Sequence, residues 1–480
     1  MNLLLLLAGS QAWRAVTPLV RLMRVITAIS IFSLEMQIIT WLEIGSLQAL
    51  PLVNLILAVA ALAVWRPAPA ATRQNATRPE PRAAVWIGAA LVLGALVVAL
   101  NLTLFEAADP YHLEKVDRIE RSGTLAYDPN TESKINVVSS LYELVLADLR
   151  QIPGVGPLMI RLHGLWSLLY WLLAIAVARE LLRASPATGA GEPLPTAPAV
   201  SSVPRWPWIV LLVVPTVFHQ LVLIKNDLFV AVPAFAALTW ALTRAATAGP
   251  RDIALVFWLA GFAVAVKLTT LPLLVVAGGA LLVARVREWR AIAAAALGTV
   301  AGVTAGGLLF TLAMNVRVYG QLMPVADVGS INPGVTEVMT GVGRFLVSLV
   351  DLGLLTRVWW PGRGGWGGTV GLPFIWACAV LLWASRRLPL ARVALLYAAV
   401  YFLAFALVFP DADLSHRLAL APALLLIGLA VRIVEGGVDS GVEGGAERGD
   451  EWRPWRMALV PVILLSAAQI ARSASEYFMR

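Results

Sequence analysis

Long apolar runs recur from one end of this chain to the other, and no soluble core has room for them. Most are about 14–23 residues long, one is longer, and turns carrying arginine, proline or glycine separate them. A stretch of about twenty apolar residues matches the ~30 Å hydrocarbon core of a bilayer. Backbone groups in lipid must be satisfied within the segment that carries them, so such runs predict helices. The expected fold class is therefore an all-α, polytopic integral membrane protein of about 11–13 transmembrane helices. Composition agrees: 59% of the 480 residues are hydrophobic and 14% are charged, against roughly 25% charged in soluble domains.

The net charge of +8 is no sign of nucleic-acid binding. Most of the basic residues are arginines in short connections between apolar runs, where they set membrane orientation. Arg14, Arg21 and Arg24 precede the run 25–42, and Arg66, Arg73, Arg78 and Arg82 follow the run 47–65. Threading the chain alternately through a bilayer places nearly all the arginine-rich turns on one side, the expected cytoplasmic one. Residues 1–24 read as an interfacial or partly inserted helix with its end inside. The remaining runs are 84–104, 157–178, 208–224, 228–242, 253–283, 291–313, 370–384, 393–409, 418–431 and 457–470. As one helix, 253–283 would be about 46 Å long at 1.5 Å per residue, well beyond the bilayer core. Arginines flank both its ends, so a hairpin broken near Lys267 is expected. The chain divides into N-terminal membrane helices (1–83), a core (84–432) with long outer loops at 105–156 and 314–369, and a cytoplasmic loop with a last helix (433–480). The single Cys378 excludes an internal disulfide.

The other charges gather on the opposite side: Asp109 to His112, Lys225 to Asp227, Lys267, and Asp411 to Arg417. Charge near hydrocarbon is costly, and a set collected at one face reads as a site. Asp109 begins where the run 84–104 ends, with Tyr111 and His112 close behind. A carboxylate and an imidazole so placed suit general-base work on a hydroxyl or amine. Leu113, Val116 and Ile119 recur at helical spacing with charges between them, which predicts an amphipathic helix lying in the interface. Lys267 interrupts an apolar run, where a central charge costs about 2.5–3.5 kcal/mol. Thr269 and Thr270 beside it add hydroxyls. Trp359, Trp360 and Trp366 of the second outer loop present rings that can stack on a ligand, whereas most of the 18 tryptophans sit at span ends. Gly362 to Gly368 does not match a phosphate-cradling loop.

These stretches, in this order and on one side, resemble the GT-C glycosyltransferases, and more closely their bacterial protein-mannosyltransferase-like and aminoarabinose-transferase-like branch. The resemblance runs over residues 84–432. It is carried by Asp109-Pro-Tyr-His112-Leu, Lys225-Asn226-Asp227-Leu-Phe, Gly261 to Lys267-Leu-Thr269, Asn315 to Pro324, and Ser415-His416-Arg417. The chain departs from the pattern in having two full spans before the first outer loop, and in offering Asp117, Glu120 and Asp128 as rivals for the second acid. What the resemblance implies is transfer of a sugar from a polyprenyl-phosphate or polyprenyl-diphosphate donor to a lipid, glycan or peptide acceptor at the outer face. Asp109 and His112 would be catalytic. Tyr111, Asp117, Lys225, Asn226, Asp227, Lys267, His416 and Arg417 would bind substrate. Asp109 with Glu106 or Asp117 leaves a divalent metal ion open, and no other cofactor is implied. Membrane lipids are partners by class; nucleic acid is not. Two rival classes remain, a transporter or lipid-linked oligosaccharide flippase and a polysaccharide polymerase or ligase. The first should show internal repeats, and none is evident.

Overall fold

The computed structural model describes residues 2, 17–64, 81–104, 110–127, 139–183, 206–322, 336, 339, 370–408, 420–436 and 452–478. Every regular element among them is helical. The first group runs α1 (Pro18–Leu42), α2 (Leu50–Val64), α3 (Pro81–Leu104), α4 (Pro110–Ser122), α5 (Leu141–Arg150), α6 (Gly156–Arg161) and α7 (His163–Arg183). Then come α8 (Pro215–Val222), α9 (Asp227–Arg244), α10 (Pro250–Val266), α11 (Pro272–Arg285), α12 (Trp289–Ala305) and α13 (Leu308–Tyr319). Last are α14 (Gly371–Ala384), α15 (Pro389–Val408), α16 (Leu420–Gly436) and α17 (Arg453–Phe478).

Proline opens many of these helices, at a position where its missing N–H leaves no bond unmade. α1, α10 and α11 begin this way. Among the described residues, seven helices are long and apolar enough to cross a membrane: α1, α3, α7, α9, α11 with its preceding turn, α15 and α17. An eighth is α12 with α13, if that pair, bent by 56°, counts as one span. The chain is thus an all-α, multi-pass membrane protein, as expected, with about seven or eight candidate spans among the described residues. The apolar runs are present, but several fold into shorter helices. α10 and α16 have 17 residues each, about 26 Å at 1.5 Å per residue, short of the ~30 Å core. The run 208–224 is no single helix. Proline breaks it into a 3-10 segment, Trp206–Leu211, and the eight-residue α8, both buried in the bundle.

α10 and α12 pack closely along their length. Glycine permits this approach. A β-carbon on Gly261, Gly298 or Gly302 would collide with the backbone oxygen of Thr299, Ala254 or Trp258. Small residues at a helix crossing let backbones come together where lipid offers no hydrophobic drive.

The two ends of the bundle differ. At one end, Glu180 of α7 accepts from the Leu19 amide (3.1 Å) and Glu435 of α16 from Trp208 Nε1 (3.1 Å). The Trp376 indole donates to Trp455 O at 3.1 Å. Arg179, Arg244, Arg285, Arg386, Arg432 and Arg453 stand at the ends of helices reaching this side. At the opposite end, Asn101 of α3 donates to the carbonyls of Leu221 and Val222 and accepts from the Gly164 amide (2.9 Å), joining α3, α7 and α8. The Leu125 amide donates to Thr40 Oγ1 at 2.9 Å, resting the segment after α4 on the end of α1. The arginine asymmetry read from sequence is a property of the folded bundle. One expectation fails. The Asn2 amide donates to Asp148 Oδ1 at 2.9 Å and its side chain to Leu47 O, so residue 2 lies at the end away from the arginines, whereas the N-terminus was expected among them.

Candidate functional site

α4 forms as its apolar spacing predicts, and Val116 and Ile119 are buried. The expectation of a charged outer face holds only in part. Lys115 is fully buried and Arg118 is 5% exposed, because α5 lies against this face of α4. Eight of the ten residues of α5 are buried, Glu143 among them. Glu143 is inaccessible. Its Oε1 lies 2.6 Å from His112 Nδ1 and 3.9 Å from Lys115 Nζ. Lys115 also donates to Ser139 O at 3.3 Å. Burial alone would raise the Glu143 carboxyl, but the Lys115 charge and the His112 hydrogen bond outweigh it and hold the group down to about 2. Burial pushes Lys115 down to about 8, against the pull of Glu143. At neutral pH this is a buried ammonium–carboxylate pair with an imidazole on the same oxygen.

The second cluster is built by the turn before α9 and the end of α10. Lys267 caps α10 in extended backbone, and a 3-10 turn and Pro272 follow. The long apolar run is therefore a hairpin broken at Lys267, as the flanking arginines predict. The Lys267 ammonium reaches across to Asp227, with which it makes an ion pair, and donates to Asn226 Oδ1 at 3.1 Å. Lys267 is not a lone embedded charge: a carboxylate 3% exposed stands against it. Lys225, on the same turn, is half-buried.

Tyr142 stands between the two clusters. Its ring lies 5.8 Å from that of His112 and 5.6 Å from that of Phe229. The charges of Glu143 and Asp227 both act on its hydroxyl, which burial raises above the usual phenol range. The Tyr111 ring meets the His112 ring edge-on at 5.0 Å and lies under the Lys115 ammonium. Tyr111, His112, Asn226, Asp227 and Lys267 are thus gathered at the bundle end away from the arginines. Asp117 is directed elsewhere, pairing with Arg150 (2.5 Å), which also holds Glu120. Asp109, His416 and Arg417 lie outside the described residues, as do Glu106, Trp359, Trp360 and Trp366. Among the described residues, no three His, Cys, Asp or Glu side chains cluster as a metal site would need; Asp117, one acid that leaves such an ion open, is engaged by Arg150. Sequence reading missed Glu143, Lys115 and Tyr142. The available signal was the setting of Glu143 among Leu141, Tyr142, Leu144 and Val145, since an acid buried in apolar company needs a partner.

No family model matches this chain, and neither a curated protein nor a solved structure does. Fold and site define a class, a multi-pass, all-α integral membrane protein. Its His112–Glu143–Lys115 and Asp227–Lys267 clusters lie at the bundle end opposite the one where most of the helix-end arginines stand.

Proposed function

We propose that this protein is a membrane glycosyltransferase that moves a sugar from a polyprenyl-phosphate donor to an acceptor, with the arginine-rich end in the cytoplasm and the site on the extracytoplasmic face. The observation that supports this reading is the meeting of three distant stretches around Tyr142: α4 with α5, the Asn226-Asp227 turn, and Lys267. Lipid phosphates lie at the depth where helices end, and a cluster of polar groups at one end of the bundle suits them better than a path through its middle.

In this reading Asp109, immediately before α4, takes the proton of the acceptor hydroxyl or amine. The acceptor attacks the anomeric carbon, the bond from that carbon to the phosphate oxygen breaks, and the lipid phosphate leaves with the electron pair. His112, held through Nδ1 by Glu143, positions the acceptor. Lys267 and Lys225 supply positive charge for the leaving phosphate, with Arg417 as a planar fork. Because Asp227 partly neutralises Lys267, the donor phosphate shares that ammonium with a carboxylate.

The test is transfer in proteoliposomes, screening polyprenyl-phosphate sugars against lipid, glycan and peptide acceptors. Asp109→Asn should lower kcat by about 10²–10⁴-fold, the usual worth of a general base, with normal membrane insertion. Full activity in that variant would remove Asp109 from the mechanism. One observation favours a carrier, the bent α12–α13 pair, since discontinuous helices mark many transporter sites. Movement of intact lipid-linked sugar between leaflets, without transfer, would support that reading instead.

A further inference from the structure

The turns that join α11 to α12 and α14 to α15 hold six arginines and one glutamate within 285–290 and 386–392. α11 packs against α15, and both turns stand at the arginine-rich end of the bundle. Arg285 is engaged within the fold, paired with Glu288 and donating to Ala248 O. Arg287, Arg290, Arg386 and Arg392 are exposed, and among the described residues none of the four meets an acid. Arg392 donates to the carbonyls of Ser385 and Arg386, which orients its stem and leaves its charge uncompensated. At the opposite end, by contrast, Arg150 is held by Asp117 and Glu120, and Arg317 by Glu43. Apolar side chains stand exposed among the four cations: Val283 is 91% exposed, Val286 61% and Trp289 71%. The Arg290 guanidinium lies 5.8 Å from the centre of the Trp289 ring, and that of Arg387 5.9 Å from the Trp383 ring.

We propose that these two turns bind the phosphodiester of an anionic phospholipid in the leaflet at the arginine-rich end. Two features set the chemistry. A guanidinium fork takes two phosphate oxygens at once, and basic clusters just beyond the ends of membrane helices attract anionic headgroups. A zwitterionic headgroup carries its own cation, which these arginines repel. Exposed valines and a tryptophan fit the level where acyl chains meet headgroups, and long cationic side chains beside them reach outward to the phosphates. A free phosphate or a soluble acidic partner matches the charge but not the valines. Setting orientation requires only that arginine be present in the loop. Binding requires it exposed and without a protein acid, as these four are.

The inference stands without the transfer reaction, and its test needs no turnover. The full chain is purified in an uncharged detergent and titrated with fluorescent phosphatidylglycerol. Phosphatidylcholine of the same acyl chains and glycerol 1-phosphate, the headgroup without its chains, are the comparisons. Phosphatidylglycerol should bind saturably and more tightly than either, with the difference shrinking in high salt. Each arginine near the surface contributes about fivefold. Arg287→Gln/Arg290→Gln/Arg386→Gln should therefore weaken phosphatidylglycerol by about tenfold or more, with thermal unfolding in phosphatidylcholine within a few degrees of wild type. Arg317→Gln, at the other end, should leave binding unchanged. If phosphatidylcholine binds as well, if glycerol 1-phosphate binds as tightly, or if the triple variant binds as wild type does, the assignment is overturned. Should the triple variant fold poorly, Arg287→Gln, on an exposed turn, decides alone by binding about fivefold more weakly or not.

Discussion

Lys267 and Glu143 show how a single charge changes meaning once its neighbour is known. Sequence presents Lys267 as an isolated cation whose removal should ease insertion. With Asp227 paired to it and buried, Lys267→Met instead leaves a carboxylate without that ammonium, and breaking one side of a buried pair costs about 3–5 kcal/mol. Lys267→Met should therefore lower thermal stability in detergent. The double variant Lys267→Met/Asp227→Asn should recover much of the loss; additive losses would show that the pair contributes nothing. Glu143 has a matching signature in pH. Its folded carboxyl titrates near 2, below the ordinary 4.5. Its stabilising contribution is fully present above about 4.5 and is lost as pH falls from there toward 2, since the unfolded chain binds the proton first. Glu143→Gln should flatten acid unfolding in that window and lower stability at neutral pH, where Lys115 stays buried and charged. An unchanged acid-unfolding profile would contradict the pairing.

At the scale of elements, the glycines of the α10–α12 crossing carry a prediction that composition alone does not. Gly302→Ala places a β-carbon against the Trp258 carbonyl and the Phe262 amide nitrogen. Neither backbone atom can move independently of its helix, so a loss of about 1–3 kcal/mol is expected. Gly279→Ala on α11 meets nothing within 4 Å, and better helix propensity should leave it neutral or stabilising by up to about 1 kcal/mol. Thermal unfolding of the two variants side by side checks the contrast; equal effects would contradict the close crossing. Elements were legible in sequence where a run was long and uninterrupted, as in α3, α7 and α9, and where flanking arginines forced the break at Lys267. They were not legible where proline cut an apolar run into buried pieces, as in 208–224, or where paired glycines bent one, as in α12–α13. A buried short helix and a membrane span have the same apolar composition, and hydropathy cannot separate them. Likewise α4 disclosed its own apolar stripe, but the second helix that buries Lys115 and supplies Glu143 lies 31 residues further on from His112.

For the whole molecule, the excess of helix-end arginines at one end and the His112–Glu143 and Asp227–Lys267 clusters at the other make a topological prediction. In a Cys378→Ser background, a cysteine at Lys225 and one at Glu114 should react with an impermeant thiol reagent added outside intact cells, and one at Arg387 should not. Labelling of Lys225→Cys and Arg387→Cys from the same side would overturn the orientation. The central claim, sugar transfer from a lipid phosphate at that end, is tested most directly by following the bond that breaks. Purified protein in liposomes receives a polyprenyl-phosphate donor labelled in the sugar, together with an acceptor pool from the same membranes. The account predicts one polyprenyl phosphate released for each sugar gained by the acceptor, with both signals lost in Asp109→Asn. Donor that stays intact, or that crosses the bilayer with its sugar still attached, would contradict it.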